Sequence, residues 1–333
     1  MKAYICEKYG STDQLHLQDA EMPSPKADEI LVKVHATSLN SWDWDKLRGH
    51  IFTRIESPGR PQDRILGGDV SGVVAEVGSE VTQFAVGDHV FGDLSQSGWG
   101  AFAEYATGKA AFFAKMPPAL SFEEAATLPQ AGLLALQSIR DEGNVQPCMH
   151  VLVNGGGGGA GMFCIQLAKH FGATVHAVDK AEKLDAMRAF GADHVYDFRE
   201  TDFTKLEQKF DVVVDAVANR GPNACFRALK SHGKYVVMGG TSFSLLRLFL
   251  ASRRKRDDGK KISILMWQVN PEDMTILAEM VCAKQIKCFI EHIYPFEQLR
   301  GAMAAQSKQA AQGKHVVHIE PERDGSIPYP QSK

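Results

Sequence analysis

Residues 154–161 read Asn-Gly-Gly-Gly-Gly-Gly-Ala-Gly, five consecutive glycines with a sixth two places on. Glycine loses more backbone entropy on folding than any other residue. The run therefore weakens any regular element and needs a compensating purpose. Its flanks supply one. Residues 150–153 form a short apolar strand pattern, and residues 162–171 have helical spacing that ends at Gly172. A strand, a glycine turn and a helix are the context in which G-x-G-x-x-G carries meaning. The fitting register is Gly156, Gly158 and Gly161. The first permits a tight turn, the second lets a pyrophosphate approach the backbone, and the third lets the helix pack close to the strand. The helix N-terminus offers free N–H groups to phosphate oxygens, and Gly159 and Ala160 are candidate cofactor contacts beside it. The template does not require Gly155, Gly157 or Gly159, and Gly157 is the position expected to tolerate substitution.

The pattern continues beyond the loop. A strand over 174–178 is followed by a helix over 183–190 that ends at Gly191. Strands over 211–215 and 234–238 come next. This alternation predicts an α/β unit, a doubly wound parallel sheet with helices on both faces. Asp179 closes the second strand, where a carboxylate accepts the adenosine ribose hydroxyls and disfavours a 2′-phosphate. That argues for NADH, while Lys180 and Lys183 beside it offset the repulsion. Gly239 and Gly240 end another strand, and with Ala216 and Val217 they are expected to flank the nicotinamide end.

Residues 1 to about 120 differ, with short alternating strands punctuated by glycine turns, which predicts a β-rich barrel. Ser121 with Glu124 is a capping-box pattern that starts a helix. A helix over 272–283 and a strand over 315–319 follow the parallel unit. The expected division is a catalytic domain over 1–123, a dinucleotide-binding domain over 124–264, and a return to the catalytic domain over 265–333 with a polar tail.

The chain has 333 residues and a net charge of −3, which gives no reason to expect nucleic acid. No stretch of 18 apolar residues is present, and the first residues lack a signal pattern. Six scattered cysteines read as free thiols of a reducing cytoplasm. A basic run, Arg253 to Arg256 with Lys260 and Lys261, follows the apolar residues 245–250. A basic amphipathic helix can lie on an anionic membrane, but the sequence favours a solvated loop over membrane contact.

Several motifs together resemble one family. They are Asn40-Ser41-Trp42-Asp43-Trp44 through Arg48-Gly49, LGGDVSGVV at 66–74, FAVGDHVFG at 84–92, GAFAEY at 100–105, AATLP at 125–129, the glycine loop, and GKHVV at 313–317. The chain resembles the zinc-independent quinone oxidoreductase branch of the medium-chain dehydrogenases/reductases. The first motif and residues 269–273 resemble its chloroplast-envelope quinone oxidoreductase-like group. The resemblance implies a Rossmann sheet inserted into a GroES-like β-rich catalytic domain built from both chain ends. It implies hydride transfer from NAD(P)H, most often NADPH, to a small hydrophobic quinone or to the alkene of an α,β-unsaturated carbonyl. It also implies a homodimer.

On the same resemblance, the ligand positions of zinc-dependent relatives fall on Asn40, Gly68-Asp69 and Gln130. Asn, Gly and Gln do not build a Cys/His zinc site, so no zinc is expected. Asn40 and Asp43 are the candidates beside the nicotinamide, and both also suit the capping of a turn and helix. Trp42, Trp44 and Phe52 are candidates for the substrate pocket, although tryptophans more often simply pack. Lys314 is a candidate cofactor contact. Leu134 stands where relatives often carry a threonine that contacts the nicotinamide. A non-catalytic nucleotide-binding protein and a zinc-free alcohol dehydrogenase remain alternatives at this stage.

Overall fold

The computed structural model describes residues 1–308 and 311–319, apart from the side chains of Phe52 and Glu56. The chain begins with a hairpin of β1 (Lys2–Cys6) and β2 (Leu15–Asp19). An antiparallel sheet follows, made of β3 (Glu29–Ser38), β4 (Asp69–Val77), β5 (His89–Asp93), β6 (Tyr105–Lys109) and β7 (Phe113–Lys115). Between β3 and β4 lie α1 (Ser41–Arg48) and α2 (Ile51–Glu56). The α1 helix ends at Gly49, held at φ 69°, a left-handed conformation that glycine adopts without penalty.

Next come α3 (Phe122–Thr127) and α4 (Pro129–Leu136). The expected capping box is present. Ser121 Oγ accepts the Glu124 N–H and the Glu124 carboxylate accepts the Ser121 N–H, both at 3.1 Å. A π-helical turn over Gln137–Glu142 extends α4.

The alternating unit runs β8 (His150–Asn154), α5 (Gly159–His170), β9 (Thr174–Asp179), α6 (Leu184–Ala189), β10 (His194–Asp197), β11 (Phe210–Asp215), α7 (Pro222–Ala228), β12 (Leu229–Val237), α8 (Ser242–Ser252) and β13 (Lys261–Ile264). Its six strands are all parallel, in the order β10-β9-β8-β11-β12-β13. Val151, Leu152 and Val153 are fully buried, as expected of a strand covered on both faces. The strand order reverses between β8 and β11, so a crevice opens at their carboxyl ends, where such sheets bind ligands.

The remaining elements are α9 (Pro271–Cys282), β14 (Ile290–Pro295), α10 (Leu299–Ser307) and β15 (Lys314–His318). The α9 helix packs on α4, and its Met274 and Leu277 share a core with Phe163 of α5. The β14 and β15 strands rejoin the first sheet, in the order β14-β15-β3-β4-β5-β7, with β6 also on β3. Both chain ends therefore build one barrel-like sheet, and the parallel sheet is inserted between them.

Candidate functional site

The glycine loop leaves β8 at the crevice, and its glycines have separate reasons. Gly155 sits at φ 86°, where a side chain would be strained. At Gly161 a Cβ would lie 2.2 Å from the Gly155 carbonyl oxygen, so close helix–strand packing requires glycine there. Gly158 meets nothing nearer than 3.5 Å. Its side-chain face is open, which fits a backbone that a pyrophosphate approaches. The α5 helix starts at Gly159 and turns its N-terminus towards that space.

Gly159 and Gly157 serve protein contacts that the motif does not specify. A Cβ at Gly159 would lie 2.5 Å from Lys314 Cδ, so its absence makes room for the lysine stem. A Cβ at Gly157 would lie 2.6 Å from Lys183 Cδ and 2.8 Å from Lys183 Cβ. The expectation that Gly157 tolerates substitution therefore fails, because the buried base of a side chain cannot swing away. Gly157 also donates its N–H to Asp179 Oδ2 at 3.0 Å, and the Lys183 ammonium lies 4.0 Å from the same oxygen. The Lys180 N–H bonds Asp179 Oδ1 at 2.8 Å. Asp179 thus braces the loop as well as facing the crevice.

Across the crevice, Asp215 holds the turn after β11. Its Oδ1 accepts Asn154 Nδ2 at 2.7 Å and the N–H groups of Val217 and Ala218 at 2.9 Å. Tyr235 donates to its Oδ2. This brace keeps Ala218 at φ 49°. It sets Ala216 and Val217 beside the glycine loop, within 3.2 and 3.3 Å of a Cβ at Gly155. Gly239 lies against the Ala216 carbonyl and Gly240 against Ala218. Four residues from two segments thus line one edge of the crevice.

The barrel meets the loop directly. Gly313 donates its N–H to the Gly157 carbonyl at 3.1 Å, and Gly158 bridges Gly313. The next residue, Lys314, carries its ammonium into the barrel, where it is 2% exposed. It donates to Asn40 Oδ1 at 2.5 Å and lies 3.4 Å from Asp69 Oδ2. Asn40 Nδ2 donates to Asp69 Oδ2 at 2.8 Å, and Ser38 Oγ donates to the same oxygen at 2.5 Å. Asp69 Oδ1 accepts the Gln130 N–H at 2.9 Å. Asp43 accepts the N–H of Asn40 at 2.7 Å and of Gly68 at 3.3 Å. Asp93 is also buried here, with Oδ2 lacking a partner among the described residues.

Three buried carboxyl groups thus surround one ammonium. Burial, with the nearby Asp69 charge, pushes the Asp43 carboxyl up to about 7. The same two causes raise Asp93. Burial lowers the Lys314 ammonium, and the surrounding carboxylates oppose that shift.

Trp42 lies at the cleft, 42% exposed. Its ring stands edge-on to Trp99 at 6.2 Å and to Trp267 at 5.8 Å. Trp99 belongs to the barrel, and Trp267 follows β13. Gln137 holds the Trp267 segment from both sides, donating to the Gln268 carbonyl at 2.9 Å and accepting its N–H at 3.0 Å. Trp44 is partly buried and packs against the barrel core. The Phe52 side chain lies outside the described residues. Leu134 packs partly buried against the core shared by α4, α5 and α9.

Comparison with known proteins agrees with this architecture. The zinc-binding dehydrogenase family model matches residues 190–317, and the alcohol dehydrogenase GroES-like domain model matches residues 26–118. The chloroplast envelope quinone oxidoreductase homolog of Arabidopsis thaliana is 31% identical over 320 residues, which cover 92% of this chain and 94% of that protein. The chain belongs to the medium-chain dehydrogenase/reductase family. It falls in the quinone oxidoreductase branch of that family. The 2-methylene-furan-3-one reductase of Solanum lycopersicum is 37% identical over 72% of this chain, and the match spans 62% of that longer protein. The structure of the quinone oxidoreductase from Coxiella burnetii superposes with a TM-score of 0.85 at 28% identity, covering 96% of this chain and 99% of that one.

The family resemblance sets the ligand positions of zinc-dependent relatives on Asn40, Gly68-Asp69 and Gln130. The donor set here does not fit zinc. The Asn40 amide is taken up by Lys314 and Asp69, Gly68 has no side chain, and an ammonium stands among them. Among the described residues, no group of three or more His, Cys, Asp or Glu side chains is arranged to hold a metal ion. A dinucleotide does fit: the loop has an open face at Gly158, a helix N-terminus and the Asp179 carboxylate.

Proposed function

We propose that the chain reduces quinones, or the alkene of α,β-unsaturated carbonyls, with NAD(P)H and without zinc. The observation that carries this reading is the joining of the dinucleotide loop to Asn40 through Lys314, at the place where zinc-dependent relatives bind their metal. When bound, the nicotinamide supplies a hydride. The chain's part is to fix the reacting partners, and positioning alone can lower such a barrier by several kcal/mol, ~7–11 in well-oriented systems.

Each residue has a stated task in this reading. The glycine loop and α5 hold the pyrophosphate, and Asp179 with Lys180 faces the adenosine ribose. Ala216, Val217, Gly239 and Gly240 border the nicotinamide end. Asn40, clamped by Lys314 and Asp69, fixes the polar side of the cleft, and Trp42 with Trp99 and Trp267 forms its apolar wall. Quinones and enones suit such a site because their electron-poor carbon accepts hydride without a Lewis acid. Simple alcohol oxidation needs a stabilised alkoxide, for which the described residues arrange no metal-holding group.

The same reading makes the protein a homodimer in the cytoplasm, where its free thiols stay reduced. A panel of 1,4-quinones and enones tests the activity through the nicotinamide absorbance. Acceptor-dependent loss of absorbance supports the reading. Tight cofactor binding with no turnover on any acceptor would make the chain a nucleotide-binding protein instead.

A further inference from the structure

Residues 265–270 join β13 to α9 without helix or strand. Both ends of this segment are pinned. The Leu265 N–H donates to the Val237 carbonyl at 2.8 Å. Asn270 caps α9 by accepting the Glu272 N–H at 2.9 Å and the Asp273 N–H at 3.3 Å. Trp267 lies between these anchors, and its ring meets that of Trp42. Trp42 belongs to α1 of the barrel unit, so this contact joins the two units at the cleft.

The middle of the segment is held by Gln137. Its amide takes both backbone groups of Gln268. Nε2 donates to the carbonyl at 2.9 Å, and Oε1 accepts the N–H at 3.0 Å. That pairing fixes which amide atom is nitrogen, since the reverse would set oxygen against oxygen. The same nitrogen donates to Asp273 Oδ2 at 3.3 Å. Arg140 grips that carboxylate from the other side, at 2.7 Å to Oδ1 and 3.1 Å to Oδ2. Gln137 and Asp273 are both buried. A buried polar network whose members are paired is rigid. Gln137 also opens the π-helical turn, a departure from α geometry that recurs at functional sites.

We propose that Gln137 is a positioning residue for acceptor specificity. By holding the Gln268 backbone it fixes Trp267 against Trp42, and so sets the width of the slot that the acceptor enters. Trp267 also packs on the core shared by α4, α5 and α9, so the ring cannot retreat while the clamp holds. Edge-on aromatic pairs keep a narrow range of separations. A flat quinone ring fits against such a wall, whereas a branched enone needs more room. Gln137 acts through Gln268 and Trp267 and makes no bond to the acceptor. The identity of the acceptor rests on the proposed function; the clamp does not.

The amide is hard to replace. Glutamate has no donor and sets a second carboxylate against Asp273. Asparagine is one methylene short. Methionine fills the space and pairs with neither backbone group.

Steady-state kinetics of Gln137→Met test the inference, with 1,4-naphthoquinone as the flat acceptor and 4-methylpent-3-en-2-one as the branched one. KM for the quinone is expected to rise about tenfold, while kcat changes by less than ~twofold. KM for the branched enone is expected to stay level or fall. Trp267→Ala should give the same shift, and adding Gln137→Met to it should change nothing further. If Gln137→Met fails to fold, Gln137→Asn carries the same comparison. Equal losses on both acceptors would reduce Gln137 to a purely structural role and overturn the inference, as would additive effects of the two substitutions. If the wild type turns over neither acceptor, the proposed function fails, and quenching of tryptophan fluorescence by the quinone reads the clamp instead. Gln137→Met should then raise the dissociation constant of the quinone about tenfold. An unchanged constant, or no quenching at all, would also overturn the inference.

Discussion

The Lys314 ammonium donates to Asn40 Oδ1 across 274 positions of sequence. One residue opens β15 and the other precedes α1, so the bond ties the last barrel strand to the residue beside the cleft. The stem of the same lysine fills the space that Gly159 leaves empty. One side chain therefore touches both the phosphate loop and Asn40. The setting of the Asn40 amide is linked by direct contact to the loop that receives the cofactor.

Replacing Lys314 with Met keeps the stem and removes the charge. Asp69 is fully buried, and breaking a buried pair from one side destabilises by about 3–5 kcal/mol. Urea unfolding of Lys314→Met is expected to show a loss of ~3 kcal/mol. Turnover is expected to fall as well, because Asn40 Oδ1 loses its donor. Unchanged stability would mean that the Lys314–Asp69 contact carries little energy.

Two neighbouring glycines should respond differently. Gly158→Ala adds a methyl to open space, so the fold stays intact while cofactor affinity drops at least ~tenfold through lost backbone approach. Gly159→Ala drives a methyl into Lys314, so the melting temperature and kcat both fall. Fluorescence titration with calorimetry separates the two. Equal behaviour of the variants would reject the register.

In the proposed function, Asp179→Ser removes a negative charge from the adenosine ribose site. The ratio of NADPH affinity to NADH affinity is expected to rise, measured by parallel titration of both cofactors. Because Gly157 loses its acceptor, both absolute affinities should weaken while the ratio moves. A fixed ratio would remove Asp179 from coenzyme selection.

The raised carboxyl of Asp93 predicts a pH dependence of stability. A carboxyl whose native pKa lies above its unfolded value contributes stability that is complete below the unfolded pKa, near 4. That contribution is lost as pH rises through the native value, about 7. Asp93→Asn keeps an oxygen for the Ser95 N–H and removes the titration. The melting curve of the variant should flatten between about pH 4 and pH 7, with a gain over wild type of at least ~1 kcal/mol near pH 8. Parallel curves for the two proteins would contradict this account of Asp93.

The loop and the parallel sheet were legible because strand, glycine turn and helix are local patterns. The α5 helix nonetheless starts at Gly159, three residues before its apolar spacing becomes readable, since Gly-Ala-Gly carries no period. The buried network was not legible as a network. Asp69 and Lys314 are 245 positions apart, and no local pattern pairs them. One signal existed: Asp69 stands between Gly67-Gly68 and Val70-Ser71-Gly72, a charge among small and apolar residues in a buried strand. Gly157 misled because the motif describes what the cofactor needs, whereas its constraint comes from Lys183. Trp267 went unnoticed because only the fold brings it beside Trp42.

The central claim is hydride transfer from a bound nicotinamide to an acceptor in this cleft. Reduced cofactor carrying deuterium on the transferring face of the nicotinamide, turned over with an enone, tests it most directly. The account predicts a product with one deuterium on the carbon β to the carbonyl, formed more slowly by Gly158→Ala at limiting cofactor. Consumption of the enone without deuterium at that carbon, or bound cofactor that never transfers its label, would contradict it.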